Sequence, residues 1–547
     1  MRLRRRGRAE RDHFVDIRDE NRRDTHDTRP PRRRLRTVRP PRPAPAVVTR
    51  ASDVPDFTPV SPRPESRGRE RGRRGPEVST RPPAERGAGR GGRGRGRGRP
   101  DGAARRRVTV GDSARAPDED DFFSARSLRD LGVGEAMREA LSAAGVTRAS
   151  HVQAATWRAL RLGAPHVLAA DHAGSGKTLA YLVPVVEALK REEEERGGRA
   201  TEPGRPRALV VLPTQELALQ VAGVARGLTR SLPLRVATLT GGARLRDQRR
   251  MLREGIDVLL CTPGRAADLA AAGDLDLSAA RFVVLDEADV LLGDVSQFRE
   301  TVLPLRGACG EGTRFLFATA TIPERCLEDL TADFPGLTPA VGRGLHRPAP
   351  GALVVVVDCS GGDEYTPQSG FARKAEALLE AVRQVPAART LVFCNQIDSC
   401  RKVENLLKRQ GGARVVAYHA AIREDVREEN LEVFLQPPEG PGDRQILVCT
   451  DRASRGVDSR FVEHVVLFDF PRDPSEYIRR VGRTARGAGG KGLVTALVLG
   501  RQVPLAKEIV QRNGKGLPVH RIPDVEDFGA GATWVEVGPG GGDGALE

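Results

Sequence analysis

The chain has 547 residues and a mass of 59.2 kDa, with 89 Lys and Arg against 73 Asp and Glu, a net charge of +16 and a pI near 10.2. That size suggests two or three domains plus tails, and that charge favours an anionic partner, nucleic acid first. No apolar run approaches the roughly 20 residues of a membrane span, and the seven scattered cysteines contain no CxxC pair, which argues against a zinc site or disulfide framework and fits a reducing compartment.

Residues 1–118 are rich in Arg, Pro and Gly and poor in large apolar side chains. They cannot bury enough surface to offset ordering entropy, so a disordered tail is expected. Arg carries all the positive charge until Lys177. From Arg29 to Arg50 there is no acidic residue, which resembles the tail of an organelle transit peptide. The first 28 residues run against that reading, with Glu10, Asp12, Asp16, Asp19, Glu20, Asp24 and Asp27. From Arg86 to Arg99, Arg and Gly alternate almost without interruption. Such flexible tracts bind RNA through phosphate attraction and guanidinium stacking, or serve as soluble linkers.

Order is expected from about Ser124. Leu128, Leu131, Met137 and Leu141 space like one helix face, ended by Gly145. A strand at His166–Ala169, a glycine loop and a helix from Lys177 follow. Lys190 to Gly204 reads as a charged, solvated insertion. Short apolar strands then alternate with helices: Ala208–Leu212, Arg235–Leu239, Asp257–Leu260, Phe282–Leu285 and Phe315–Phe317. That alternation predicts a parallel sheet covered by helices. Leu337 to Gly351 holds Pro339, Pro348 and Pro350 and reads as a linker. A second series comprises Leu353–Val357, Thr390–Phe393, Arg414–Ala417, Ile446–Val448, Val465–Phe468 and Leu493–Val498.

The strand Val283-Val284-Leu285 ends on two adjacent carboxylates, Asp286 and Glu287. In nucleotide-binding α/β domains one such acid helps hold Mg²⁺ and the other orients the attacking water. Alone, the pair could be a solvated strand end. Gly174-Ser175-Gly176-Lys177-Thr178 supplies its complement. Glycines let backbone N–H groups approach phosphate, Lys177 would reach the β/γ-phosphates, and the Thr178 hydroxyl would bind Mg²⁺. Together the two segments point to NTP hydrolysis.

From about Leu128 to Val519 the chain resembles the DEAD-box RNA helicases. Gly145 to Gln153 is similar to their Q motif, which implies Gln153 on the adenine of ATP. Pro213-Thr214-Gln215-Glu216-Leu217-Ala218, Gly241-Gly242 and Thr262-Pro263-Gly264-Arg265 resemble the RNA-backbone motifs. Asp286 to Asp289 matches the DEAD box itself. Thr319-Ala320-Thr321 resembles the motif that couples hydrolysis to domain closure. In the second half, Leu391 to Gln396 resembles motif IV. Thr450-Asp451, Arg455-Gly456 and Asp458 resemble motif V, which touches RNA and nucleotide. Arg480 to Arg486 resembles motif VI, which supplies the arginine fingers Arg483 and Arg486. Several residues depart from the family pattern. Asp171 and Ala173 stand in the phosphate loop for Ala and Thr, and Asp171 would add negative charge near phosphate. Gln215 replaces an Arg, removing a potential backbone contact. Arg479 replaces a His, Ala485 a Gly and Glu424 a Gln. The family's adenine-stacking aromatic falls, by counting back from Gly145, on Leu128, with Phe122 and Phe123 as alternatives.

The expectation is therefore an α/β chain of two tandem RecA-like parallel-sheet domains. Residues 1–118 form the basic tail, 119–340 the ATP-binding domain, 341–352 the linker, 353–528 the second domain and 529–547 a Gly-rich tail. ATP and Mg²⁺ are the expected cofactors, RNA or a ribonucleoprotein the expected partner, and a monomer with no membrane association the expected state. The Gly-Arg-Thr-Ala-Arg form of motif VI and the Lys177–Leu182 stretch resemble plant and algal organelle members. A chloroplast location is expected on that basis, with mitochondrion and nucleus or nucleolus as alternatives.

Overall fold

The two alternating series fold, in the computed structural model, into two seven-stranded sheets. The structure describes residues 122–241, 243–293, 303–361, 366–440, 442–451, 461–523 and 525–528, together with the backbone of 108–110. All of these fall within one unit, Phe57–Glu547. The Arg-Gly tract, the acid-free 29–50 segment, Gly242, Arg455, Gly456, Asp458 and the 529–547 tail lie outside the described residues.

The first sheet contains β2 (His166–Ala170), β3 (Ala208–Val211), β4 (Val236–Leu239), β5 (Val258–Cys261), β6 (Phe282–Asp286), β7 (Arg314–Thr319) and β8 (Leu337–Val341). Its order is β4-β5-β3-β6-β7-β2-β8, and every pairing is parallel. Strands β3, β5 and β6 are buried along their whole length, as uninterrupted apolar runs under helices on both faces must be. Two apolar clusters lie on opposite sides of this sheet, one holding Val167, Val210 and Val284, the other Leu168, Leu209 and Leu285. That division is the period-two alternation of a strand.

The second sheet contains β9 (Ala352–Asp358), β10 (Arg389–Phe393), β11 (Arg414–Tyr418), β12 (Gln445–Cys449), β13 (His464–Leu467) and β14 (Gly492–Val498), plus β1 (Val108–Val110). Its order is β1-β9-β14-β13-β10-β12-β11. All pairings are parallel except β1, which runs antiparallel along the edge of β9 with Thr109 opposite Val356.

Four expectations are corrected. The stretch 108–110, expected in the disordered tail, is an edge strand of the second sheet. Leu337 to Val341, read as linker, is the edge strand β8, where Pro339 is tolerated because an edge needs no donor on its outer side. Leu128 and Leu131 lie in a turn before the helix Glu135–Ala143, yet reach the same core as Met137 and Leu141. The expected solvated insertion begins as the last two turns of the helix Lys177–Arg196. Its Glu193 is buried against Arg207, whose guanidinium also binds Asp257 at 2.8 Å. A buried arginine demands such partners, and they turn a charged run into a packed one.

The chain also returns from the second sheet to the first. After the helix Gln502–Gly514, Val519 donates its N–H to the His346 carbonyl, and Phe528 is buried in the apolar cluster of the first sheet with Phe334, Leu330 and Leu337.

Candidate nucleotide site and interdomain cleft

The motif residues of each sheet cluster at the carboxyl ends of its strands, where open α/β sheets bind ligands. Beyond β2 comes the phosphate loop 171–176, beyond β6 Asp286 and Glu287, and beyond β7 Thr319-Ala320-Thr321. Gly174 and Gly176 have φ of +85° and +91°, a region that glycine enters without steric cost. A Cβ at Gly176 would stand 2.4 Å from Gln153 Nε2, and one at Gly174 would stand 3.0 Å from the Arg486 Cα of the second domain. The Ser175 hydroxyl is buried with no hydrogen-bond partner, an orphan that a phosphate oxygen would satisfy.

Lys177 begins the following helix and donates Nζ to the carbonyl oxygens of Asp171 (2.8 Å) and His172 (2.7 Å). Burial lowers its pKa, and Asp171 and Asp286 oppose that shift. Gln153 caps its own helix through Ser150 N–H (2.9 Å to Oε1) and donates Nε2 to the Gly176 carbonyl at 3.0 Å. Gln153 and the 171–176 loop are thus one hydrogen-bonded assembly.

The Asp286 carboxylate accepts from the Tyr181 hydroxyl (2.7 Å) and from the Glu287 N–H (2.9 Å). Burial pushes its pKa up to about 6, with the Tyr181 hydrogen bond opposing. Tyr181 is fully buried, and burial followed by the Asp286 charge pushes its pKa well up. It is a site residue that motif reasoning missed. The signal was its place four residues after Lys177, on the same helix face. Glu287 adopts φ +49°, uncommon for a residue with a Cβ. One of its oxygens lies 3.4 Å from Arg483 Nη2, and the other is buried without a partner. Asp289 Oδ2 accepts from Thr321 Oγ1 (2.5 Å) and from Arg479 Nη1 of the second domain (2.9 Å). The Thr319 hydroxyl donates to the Thr321 carbonyl at 2.6 Å, and Ala320 lends its carbonyl to the N–H of His346 in the linker.

On the second sheet, Arg480 is 1% exposed and bound to Asp451, Asn395 Oδ1 and the Asp469 carbonyl. It braces its own domain. Arg483 faces Glu287, and Arg486 donates Nε to the Gly482 carbonyl while its backbone abuts Gly174. Two further contacts cross the cleft, Tyr418 hydroxyl to Glu216 (2.7 Å) and Gln215 Nε2 to Glu428 (3.3 Å). Gln215, expected only to have lost an RNA contact, therefore joins the domains.

The residues expected to contact RNA lie along the same edges. Pro213 and Thr214 follow β3, and Thr214 caps the helix Gln215–Leu228. Thr262 precedes the helix Pro263–Ala271 at its N-cap position, without a side-chain capping hydrogen bond. Arg265 donates to the carbonyls of Gly241 (3.1 Å) and Ala243 and to Gln248 Oε1 (2.7 Å), so it shapes the loop that holds Gly241. Thr450 follows β12.

One expectation near the nucleotide fails. Leu128 belongs to the apolar core. Phe122 instead lines a pocket of about 290 Å³ beside the phosphate loop, with Ser150, His151, His172, Ser175 and the linker residue Arg347. Counting along the chain missed this, because Phe122 lies six residues farther from Gly145 than Leu128, so the chain reaches the pocket by a longer path than the family spacing implies. The Asp171 carboxylate accepts from the N–H groups of His172 (2.8 Å) and Gly344 (3.0 Å), and its charge acts on Lys177.

Residues 150–330 match the DEAD/DEAH box helicase family, and residues 373–488 match the helicase conserved C-terminal domain. The chain is similar to DEAD-box ATP-dependent RNA helicase 50 of Arabidopsis thaliana, 44% identical over 75% of this chain and 53% of that protein, so it spans about half the relative's length. It is 30% identical to ATP-dependent RNA helicase DBP2 of Encephalitozoon cuniculi over 67% of this chain and 70% of that protein. Its fold is similar to S. cerevisiae Dbp5 bound to RNA and ADP BeF3, with a TM-score of 0.59, 20% identity, and coverage of 73% of this chain and 96% of that one. Carboxylates on one parallel sheet, arginines on the other and these matches together place the chain in the DEAD-box ATP-dependent RNA helicase family.

Proposed function

We propose that the chain is an RNA-stimulated ATPase that unwinds short RNA duplexes or remodels RNA–protein complexes by closing its two domains. The observation that carries this reading is Arg483 of the second domain standing 3.4 Å from Glu287 of the first. Charge that develops on the phosphoryl group can meet that guanidinium only while the cleft is shut, so closure gates hydrolysis. RNA lying across both domains favours the shut form, and hydrolysis releases it.

In this reading Glu287 orients the attacking water, and its partnerless oxygen is the acceptor that water would use. Lys177 leaves its two carbonyls for the β/γ-phosphates, and the N–H groups of Gly174, Ser175 and Gly176 cradle them. Gln153 reads adenine and Phe122 packs on it. Arg486 and Asp458 complete the nucleotide contacts from the second domain. Asp286 and Thr178 are hard oxygen donors on one face of the loop, a set that suits Mg²⁺. Burial lifts Asp286 toward its neutral form, a shift that a dication would reverse. These two residues would hold Mg²⁺, which when bound neutralises phosphate charge. Pro213, Thr214, Gly241, Gly242, Thr262, Arg265 and Thr450 line the RNA path, and Thr319, Ala320 and Thr321 couple it to the nucleotide. The Arg-Gly tract adds sequence-tolerant phosphate contacts, and the acid-free 29–50 segment supports chloroplast import.

ATP turnover by the full chain with single-stranded RNA, single-stranded DNA or neither tests the reading. Stimulation by RNA alone is expected, and equal stimulation by DNA would overturn it. A fluorescent fusion outside the chloroplast would refute the location.

A further inference from the structure

The phosphate loop opens with Asp171 where the family has a small apolar residue, and that side chain is 7% exposed. It sits where three segments meet. Its own N–H donates to the Thr319 carbonyl at 3.1 Å, in the coupling motif. Its carbonyl accepts from Lys177 Nζ at 2.8 Å, inside the phosphate loop. Its carboxylate Oδ1 accepts from the Gly344 N–H at 3.0 Å, in the segment joining the two domains. The fit around it is close. A Cβ at Gly342 would stand 2.3 Å from Asp171 Cγ, and one at Gly344 would stand 2.5 Å from Oδ1 and 2.3 Å from His172 Cδ2. Two glycines in three residues let the linker backbone settle directly on this carboxylate. Burial lowers the Arg347 pKa and Asp171 opposes that shift, so the linker's cation also feels the same group.

We propose that Asp171 is a positioning residue that ties the interdomain linker to the phosphate loop, so that occupancy of the loop by ATP is transmitted to domain closure through one carboxylate. The inference rests on the ATPase reading above. Lys177 holds the carbonyls of Asp171 and His172, and Oδ1 of Asp171 holds the N–H groups of His172 and Gly344. When phosphate draws Lys177 away, the 171–172 peptide loses its restraint on one side. The same peptide carries the anchor of Gly344 on the other, and the linker follows. An alanine here would bind phosphate equally well and leave the linker without that anchor.

The experiment uses the full chain with a fluorophore pair, one on each domain, and three variants. Asp171→Ala removes the acceptor. Asp171→Asn keeps an oxygen that can accept both N–H groups. Gly344→Ala leaves the carboxylate intact and pushes the linker away. Asp171→Ala and Gly344→Ala are expected to bind a fluorescent ATP analogue within about threefold of wild type. Both should lose most ATP-induced closure and about tenfold in RNA-stimulated kcat, with KM for ATP little changed. Asp171→Asn should restore closure and kcat to within about twofold. Normal closure by Asp171→Ala would overturn the proposal. So would loss of analogue binding in step with kcat, which would make Asp171 only a prop of the loop, or an Asn variant as defective as Ala. Analogue binding and closure are read without turnover, so absence of RNA-stimulated ATPase in wild type would refute the ATPase reading separately.

Discussion

The two faces of the cleft are built on opposite plans. The first domain presents carboxylates, Asp286, Glu287 and Asp289, at and just beyond the end of the buried strand β6, and Tyr181 and Thr321 of the same domain hold Asp286 and Asp289. The second presents arginines from a helix, Pro474–Val481, and the turn after it. Within that helix neighbours do opposite jobs. Arg480 faces inward to Asp451 and Asn395, while Arg479 and Arg483 reach across to Asp289 and Glu287. Helical geometry separates Arg479 from Arg480, since adjacent residues lie about 100° apart, and Arg483 reaches across from the turn that follows the helix. Asp286 and Asp289 are therefore held from within their own domain, the Glu287 carboxylate is met from across the cleft by Arg483, and the basic face is split between a brace and two reaching groups.

The largest break in this comparison removes a reaching group. Arg483→Ala should lower RNA-stimulated kcat by roughly 10³–10⁵, the range for an arginine finger, with nucleotide affinity close to wild type. Glu287→Gln should also stop hydrolysis while ATP binds and RNA is retained. Single-turnover phosphate release measures both, and near-normal turnover in either would dissolve the pairing of faces.

Removing the brace should act on folding instead. Arg480→Ala removes a fully buried guanidinium from the partly buried Asp451; breaking a wholly buried pair costs about 3–5 kcal/mol, and less is expected here because Asp451 is 20% exposed. The second domain should unfold earlier in urea while the first keeps its midpoint. Arg479→Ala, one residue away, should leave both midpoints unchanged and weaken closure. If the two variants behaved alike, the helix would not divide brace from reach.

Much of this was legible before folding. The alternating runs identify the strands of both sheets, because a strand buried on both faces must be apolar throughout, and the motif residues then fall at the carboxyl ends of those strands. What the chain hides is long-range pairing. Arg207 and Glu193 look like surface charges, Val108–Val110 like tail, and Phe528 like the end of the second domain. Each finds its partner in a segment distant in sequence, and no local spacing records that. Leu128 and Phe122 illustrate the converse error, in which family spacing was carried over a path this chain does not follow.

A stability test separates the linker from both faces. His346 is fully buried at φ +59°, neither ring nitrogen has a hydrogen-bond partner, and its ring lies 5.2 Å from that of His520. Burial first, then His520 and Arg347, lower its pKa to about 3. The unfolded chain binds this proton near pH 6.5 and the folded chain does not. Stability is therefore full above that pH and falls as pH drops toward 3, by about 1.4 kcal/mol per pH unit for one proton. Asp286, raised to about 6, slopes the other way, so the informative quantity is the difference between wild type and a variant. His346→Asn removes the titrating ring and suits the positive φ. Its urea midpoint should fall less steeply between pH 6 and 4, and parallel curves would show that His346 is charged in the fold.

The smallest expected effect concerns the adenine end of the acidic face. Phe122 lines the pocket beside His172 and Ser175, with its ring 6.4 Å from the His172 ring. A ring stacked on a base adds about 0.5–1.5 kcal/mol beyond its buried area. Phe122→Ala should therefore weaken binding of a fluorescent ATP analogue by up to roughly tenfold, since about 1.4 kcal/mol is a factor of ten. Preference for adenine over guanine should survive, because the glutamine amide, not the ring, leaves polar groups unpaired against the wrong base. Leu128→Phe supplies the control. Leu128 packs in the core, so a larger ring there overfills a filled space and costs about 1–3 kcal/mol of stability. It should lower the first domain's urea midpoint and leave nucleotide affinity alone. Tighter ATP binding by Leu128→Phe, with Phe122→Ala unchanged, would move the stacking position back to Leu128 and show that the chain enters the pocket by the shorter path.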